Sequence, residues 1–430
     1  MTVAPNSQEP GPAAPPATSR SSTALRPARR RGLGRGAAFA AIAAIFVLFM
    51  AASSAPSPLY VVYQHAWGFS ATMLTTVFAV YVVGMIGALL VLGALSDHVG
   101  RRPVLLAAIA LEAVAMLLFI TAGDVSLLLT ARFVQGVATG GAMTTLGAAL
   151  VDLNPSHAPH RAGVVSGAAP SFGLAVGSLG CGFLVQYGPH PTRLVYVLLL
   201  AGLAVAALVA ALLPETSQRR PGAVRSLQPR LGVAPRLRAD LLALVPILVA
   251  SWALGGLYLA LGPSVAAGLF GLSSHVIGGL VVTLLCAPAS VTAFVLRPWP
   301  TERTLALGAS LLALGTGVGL AGVEADSVTA AALGTALAGV GFGAAGLASF
   351  GTLARIAAPA ERGELFAVAF VISYLAFSIP AVIAGFATTD VGLHRTAVVY
   401  SSAVIAFGVL ALVAQRLRTS RAAARASTAG

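Results

Sequence analysis

Long apolar runs separated by short polar breaks dominate the chain from about residue 37 to residue 415. A helix rises about 1.5 Å per residue and needs roughly 20 apolar residues to cross about 30 Å of hydrocarbon. Twelve runs meet that length, with predicted bounds 37–63, 71–95, 103–122, 125–151, 162–187, 193–213, 241–270, 274–296, 303–322, 327–357, 364–387 and 395–415. None alternates apolar and polar residues with the period of two that a barrel strand requires. The pattern therefore predicts an all-α polytopic membrane protein with 12 transmembrane helices. Residues 1–36 are rich in Pro, Ala, Ser and Arg and nearly empty of large apolar side chains, so a disordered N-terminal tail is expected there. The first run is too long and starts too late for a cleaved secretory signal, and it is read as an uncleaved first span. A proline- and arginine-rich break at 214–240 separates an N-terminal six-helix bundle, 37–213, from a C-terminal one, 241–415, and a tail follows at 416–430.

Composition agrees and adds an orientation. Only 9% of the 430 residues are charged, against about 25% in a soluble domain. The formal charge is +13, and all 26 basic residues are arginine. With the N-terminus inside, 23 arginines fall in the tails and inner loops, Arg193 and Arg395 fall outside, and Arg132 lies within the fourth span. An error of one helix would swap the sides of every later loop and destroy this asymmetry. The positive charge thus reads as the retention of basic residues on the cytoplasmic side, with both termini inside, and no nucleic-acid partner is expected. Cys181 and Cys286 both lie in apolar runs, so neither a disulfide framework nor a cysteine metal site is expected.

The sharpest motif is Gly93-Ala94-Leu95-Ser96-Asp97-His98-Val99-Gly100-Arg101-Arg102 in the first inner loop. Gly93 and Gly100 permit close helix approach and a tight reversal, Asp97 supplies a carboxylate at the membrane surface, and Arg101 and Arg102 supply fixed positive charge. Spacing, loop and topology resemble the signature loop of the major facilitator superfamily, and the resemblance covers the whole chain from the first span to the twelfth. It implies two pseudo-symmetric six-helix bundles. It also implies that Asp97 sits against the N-terminal end of the eleventh helix near Arg362 and Gly363, latching the two halves as a conformational gate. The corresponding second-half loop, Leu296-Arg297-Pro298-Trp299-Pro300, has no acid. A duplication is hinted at by Gly136-Val137 and Gly140, which recur as Gly339-Val340 and Gly343, and by Arg102 opposite Arg303.

Arg132-Phe133-Val134-Gln135-Gly136 resembles the superfamily's second motif, which implies a role for Arg132 in proton coupling or in orienting substrate. A guanidinium within a span costs at least about 2.5 kcal/mol unless it is paired or reaches the interface. Both readings stay open for Arg132: a functional partner, or a side chain that snorkels to the outer surface. Gly136 and Gly140 read as helix-packing residues. Gly173, Gly177 and Gly180 resemble the glycine-rich fifth-helix motif of proton-coupled antiporters, except that Ser178 stands where that motif has proline. Glu112 is the acid placed deepest in a span. Taking a carboxyl out of water favours its uncharged form, as a proton carrier requires, and a structural carboxyl bonded to a neighbouring helix fits equally well.

In the superfamily the first, fourth, seventh and tenth helices surround the substrate cavity, which nominates Ser54, Ser57, Tyr60, Gln135, Thr139, Trp252 and Tyr258, with Tyr374 from the eleventh. Each is either a contact or a packing residue. So few charges suit a hydrophobic or amphipathic solute better than a phosphate or a di-acid. Neither an ATP-binding loop nor a catalytic or metal-ligand cluster is present, so no cofactor, metal or enzyme activity is expected, and the resemblance implies a proton gradient as energy source. His65, His157 and His160 read as exposed loop residues. The expected function is proton-coupled export of a small drug-like or secondary-metabolite molecule by a monomer in the cytoplasmic membrane. An importer or facilitator of a sugar or other metabolite, and a membrane receptor without flux, are the alternatives.

Overall fold

The computed structural model describes residues 1–2, 33–155, 161–217, 219–229, 231–358 and 361–429, with 418–429 as backbone only. Most of the predicted N-terminal tail, His157, His160 and Arg230 lie outside the described residues. Twelve described helices are long and apolar enough to cross a membrane. They are α1 (Arg35–Trp67), α2 (Ala71–Leu92), α3 (Arg101–Thr121), α4 (Val125–Asp152), α5 (Arg161–Tyr187), α6 (Leu194–Leu212), α7 (Pro235–Ala260), α8 (His275–Val295), α9 (Thr301–Glu324), α10 (Val328–Ile356), α11 (Arg362–Val391) and α12 (Leu393–Leu417). No strand occurs among the described residues.

Two spans differ from the sequence expectation for identifiable reasons. The seventh starts at Pro235, six residues before the predicted 241, because a proline at the first helical position gives up only an N–H that has no helical partner there. It also ends at Ala260, with a separate helix at Gly262–Phe270. Pro263 has no N–H to continue the ladder, and the chain turns at Leu261. The first span breaks at Ala55, between helical segments Arg35–Ser54 and Pro56–Trp67.

The repeat hinted at by glycines has a structural counterpart. The α3–α4 connection ends in Asp124, whose side chain accepts from the Leu127 N–H, and the α9–α10 connection ends in Ser327, whose hydroxyl accepts from the Ala330 N–H. Both turns use the same N-cap chemistry in the same register that sets Gly136 against Gly339.

Two seams join helices of the first six to helices of the last six: α5 against α8 and α2 against α11. Small residues let the backbones approach in the first of these. A methyl group at Gly182 would come within 2.6 Å of the His275 carbonyl oxygen, and one at Gly279 would collide with that of Ser178. Thr283 and Ser290 donate to the Ala175 and Ala168 carbonyls at 3.1 Å each. In the α2–α11 seam, Thr72 donates to the Gly385 carbonyl at 3.3 Å and the Phe78 and Phe377 rings stand 4.9 Å apart. These α2 contacts lie in its first third, at the end of the molecule opposite the arginine-rich loops.

Candidate functional site

Pro56 explains the location of the site. It cannot donate to the Ala52 carbonyl one turn back, so α1 breaks and exposes that acceptor inside an apolar bundle. Gln135 of α4 supplies the missing bond, its Nε2 donating to the Ala52 oxygen at 3.0 Å. The same amide nitrogen donates to Glu112 Oε1 of α3 at 3.1 Å, and its oxygen accepts from the Arg132 guanidinium at 2.5 Å. Arg132 also donates to the Ser53 carbonyl at 3.2 Å. Gln135 thus bridges a cation and an acid and ties both to the break in α1.

Arg132 and Glu112 are 1% and 0% exposed, and among the described residues they are the only buried charged side chains. The surface reading of Arg132 is therefore replaced by burial. Its charge is compensated by oxygens and by two aromatic faces, with its Cζ 4.6 Å from the Tyr81 ring centroid and 5.7 Å from that of Tyr60. Tyr81 in turn donates to Ser53 Oγ at 3.0 Å. Among the described residues, Arg132 Nε, Glu112 Oε2, Tyr60 Oη, Ser57 Oγ and Thr139 Oγ1 are buried without a hydrogen bond of ordinary length and angle, although Tyr60 lies beside Arg132 and Thr139 beside Glu112. Buried polar atoms normally have partners, so this concentration marks where water or the polar group of a solute would bind.

The first inner loop forms a second polar cluster. Gly100 has φ +111°, a conformation suited to glycine, and turns the short helix Leu95–Val99 into α3. Glu215, just after α6, then caps α3 by accepting from the Arg101 and Arg102 backbone N–H groups at 2.8 and 3.2 Å. A methyl at Gly100 would lie 2.6 Å from Glu215 Oε2. Arg101 pairs with Asp97 at 2.5 Å and with Asp152 at 3.2 Å, and Thr216 donates to the same Asp152 oxygen at 2.9 Å. The expected juxtaposition of Asp97 with Arg362 is absent here: among the described residues no hydrogen bond or ion pair joins them. Arg362 instead donates to the Ala357 carbonyl at 3.3 Å, beside an Arg236–Glu361 ion pair. Asp97 is paired within its own half, by the arginine one turn further on at i+4. Gly93 also departs from expectation, since a methyl there would meet the Leu89 carbonyl of its own preceding turn rather than a neighbouring helix.

The remaining predicted residues divide. Ser54 donates to the Leu174 carbonyl at 2.8 Å and joins α1 to α5. Gly136 and Gly140 face the α2 backbone, and Gly173 and Gly177 face that of α1. A methyl at Gly180 would meet nothing within 4 Å, so its expected packing role is not found. Trp252 and Tyr374 meet edge to face at 4.7 Å. Tyr374 belongs to an aromatic stripe along α11 with Phe366, Phe370 and Phe377, and its hydroxyl reaches Met143 Sδ of α4 at 3.3 Å. This stripe reaches residues of both halves and was missed, although its four aromatics recur on one helical face. Tyr258 does not join these groups. It bonds Thr335 Oγ1 at 2.8 Å inside the second six helices.

These features define a multi-pass membrane protein whose two related sets of helices meet along two seams, with polar chemistry buried in one set. Residues 40–381 match the sequence profile of the Major Facilitator Superfamily, and the chain belongs to that family. It is 41% identical over 71 residues to multidrug resistance protein MdtL of Citrobacter koseri, covering 16% of this chain and 18% of that protein. It is 38% identical over 97 residues to the Salmonella paratyphi B protein of the same name, covering 23% and 24%. The matches thus span less than a quarter of those relatives' length. Among solved structures, a bacterial homologue of the human lysosomal transporter Spinster, inward-facing and unoccupied, shares the fold with TM-score 0.69 at 14% identity over 89% of this chain and 97% of that one. The human organic anion transporter MFSD10 does so at 0.65 and 19% identity, over 88% of this chain and 100% of that one.

Proposed function

We propose that the chain is a secondary active exporter of small hydrophobic or amphipathic molecules, driven by proton antiport through alternating access in the cell membrane. The observation that carries this reading is the Arg132–Gln135–Glu112 network, a buried acid and cation bridged by an amide and left with open hydrogen-bonding positions. In this reading Glu112 carries the proton and Arg132, joined to it through Gln135, is the cation nearest to it in the network. The uncharged aromatic stripe around Tyr374 and Trp252 supports an apolar solute, and the partial likeness to multidrug resistance proteins supports export.

The arginine-rich loops and both termini face the cytoplasm in this reading. The α2–α11 contacts then lie at the outer end, while the polar clusters at the inner end stay within their own halves. At the α2–α11 seam that distribution fits a state closed to the outside with the Asp97 latch undone, while the α5–α8 seam keeps contact toward both ends. Reconstituted protein with an imposed proton gradient and an internal pH dye tests the function. Extrusion of lipophilic cations or neutral antibiotics with matching proton entry is expected; binding without gradient-dependent movement of any such compound contradicts it.

A further inference from the structure

A cavity of about 270 Å³ is lined entirely by residues of the second six helices. Its wall is built by α7, α8, α9, α10, α12 and the Gly262–Phe270 helix, with Leu257, Phe270, Val281, Leu284 and Leu320 among the apolar residues facing it. Its few hydroxyls are largely occupied: Tyr258 and Thr335 bond each other at 2.8 Å, and Thr316 donates to the Leu312 carbonyl at 2.7 Å.

The repeat explains why space remains here. The register that pairs Asp124 with Ser327 and Gly136 with Gly339 also pairs Arg132 with Thr335, Glu112 with Gly315, Met116 with Gly319 and Phe119 with Gly322. Bulky and charged side chains fill the first half at positions where the second has threonine and glycines. Those glycines draw α9 directly onto the α10 backbone: methyl groups at Gly315 and Gly322 would collide with Ala338 and Ala331. The volume lost on that side is left open toward α7, α8 and α12. A methyl at Gly319, by contrast, meets nothing nearer than the Ala331 carbonyl at 3.9 Å, and Gly319 lines the cavity.

We propose that this cavity is a binding site for one uncharged, hydrocarbon-like ligand, separate from the path between the halves and independent of the transport reading. Its lining is almost wholly hydrocarbon and its bonded hydroxyls offer water few partners, so it favours a small lipophilic molecule or an acyl-chain end over water. Leu280 and Val328, at its rim, are exposed, so the site opens to the surface.

The test uses the full chain in liposomes with two photoprobes, a free short-chain alkyl diazirine and a phosphatidylcholine with a diazirine at its acyl terminus. Saturable crosslinks at Val281, Leu284 and Leu320 are expected. They fall about tenfold in Gly319→Met, which installs the first half's residue, and in Ala332→Leu, a second filling variant read independently; a tenfold loss corresponds to about 1.4 kcal/mol of binding. Labelling by the free probe identifies a soluble lipophile as the source, and labelling by the lipid probe alone identifies a bilayer chain. Crosslinking that does not saturate, that equals the level at lipid-exposed Leu314 and Leu333, or that persists in whichever filled variants fold, overturns the site.

Discussion

Arg132 and Glu112 share one amide between them, so removing either leaves Gln135 short of a hydrogen bond. Arg132→Met leaves the Gln135 amide oxygen and the Ser53 carbonyl without their donor, and stranding a buried acceptor costs about 1–3 kcal/mol. The variant is expected to melt well below wild type and to lose flux, as thermal denaturation of the purified protein and a transport assay would register; unchanged stability would contradict the network. Glycines give a sharper pair of outcomes. Gly177→Ala places a methyl against the Ala51 backbone and lowers stability, whereas Gly180→Ala meets open space and leaves it unchanged. Equal melting temperatures for the two would refute the close α1–α5 approach. Sequence alone singled out Arg132 and Glu112 because a charge among apolar residues is conspicuous, and Gln135 because it follows at i+3. It gave no sign that Glu112 meets Gln135, since that contact crosses from α3 to α4 and depends on how those helices rotate. The direction of Tyr258 was illegible for the same reason.

The break in α1 is an element-level device, because one missing N–H at Pro56 both ends a helical segment and prepares the acceptor that Gln135 occupies. Pro56→Ala restores an internal partner for the Ala52 carbonyl, and its expected result is a displaced Gln135 and reduced flux. Wild-type flux together with unchanged amide exchange around Ala52 would remove the break from the mechanism. At the start of α3, Glu215→Ala leaves the Arg101 and Arg102 N–H groups uncapped, a loss of about 0.5–2 kcal/mol by analogy with N-caps. Faster hydrogen exchange confined to the first turn of α3 is the expected signature, and wild-type protection there would refute the cap. Helix number and most boundaries were legible from apolar run length, since a membrane leaves the backbone few alternatives. The Glu215 cap was not, because it joins segments more than a hundred residues apart, and the Asp97 pairing differed because contact with the other half depends on how the two sets of helices are disposed, which no local motif encodes.

At the scale of the whole molecule, contact between the halves concentrates along two seams, with the α2–α11 contacts at one end. Phe78→Cys combined with Phe377→Cys, at positions whose rings stand 4.9 Å apart across this seam, is expected to stop flux when joined by a reducible bifunctional thiol reagent and to regain it on reduction; a crosslinked protein with wild-type flux would contradict motion at this seam. The halves also differ in what fills them, a charged network in the first and an apolar cavity in the second, so among the described residues the buried charges lie in one half. The most direct measurement is simultaneous substrate and proton flux in proteoliposomes for wild type and Glu112→Gln. Wild type is expected to extrude substrate with matching proton entry, and the variant to exchange substrate without moving protons or responding to the gradient. Proton-coupled extrusion by Glu112→Gln at the wild-type rate would contradict the account.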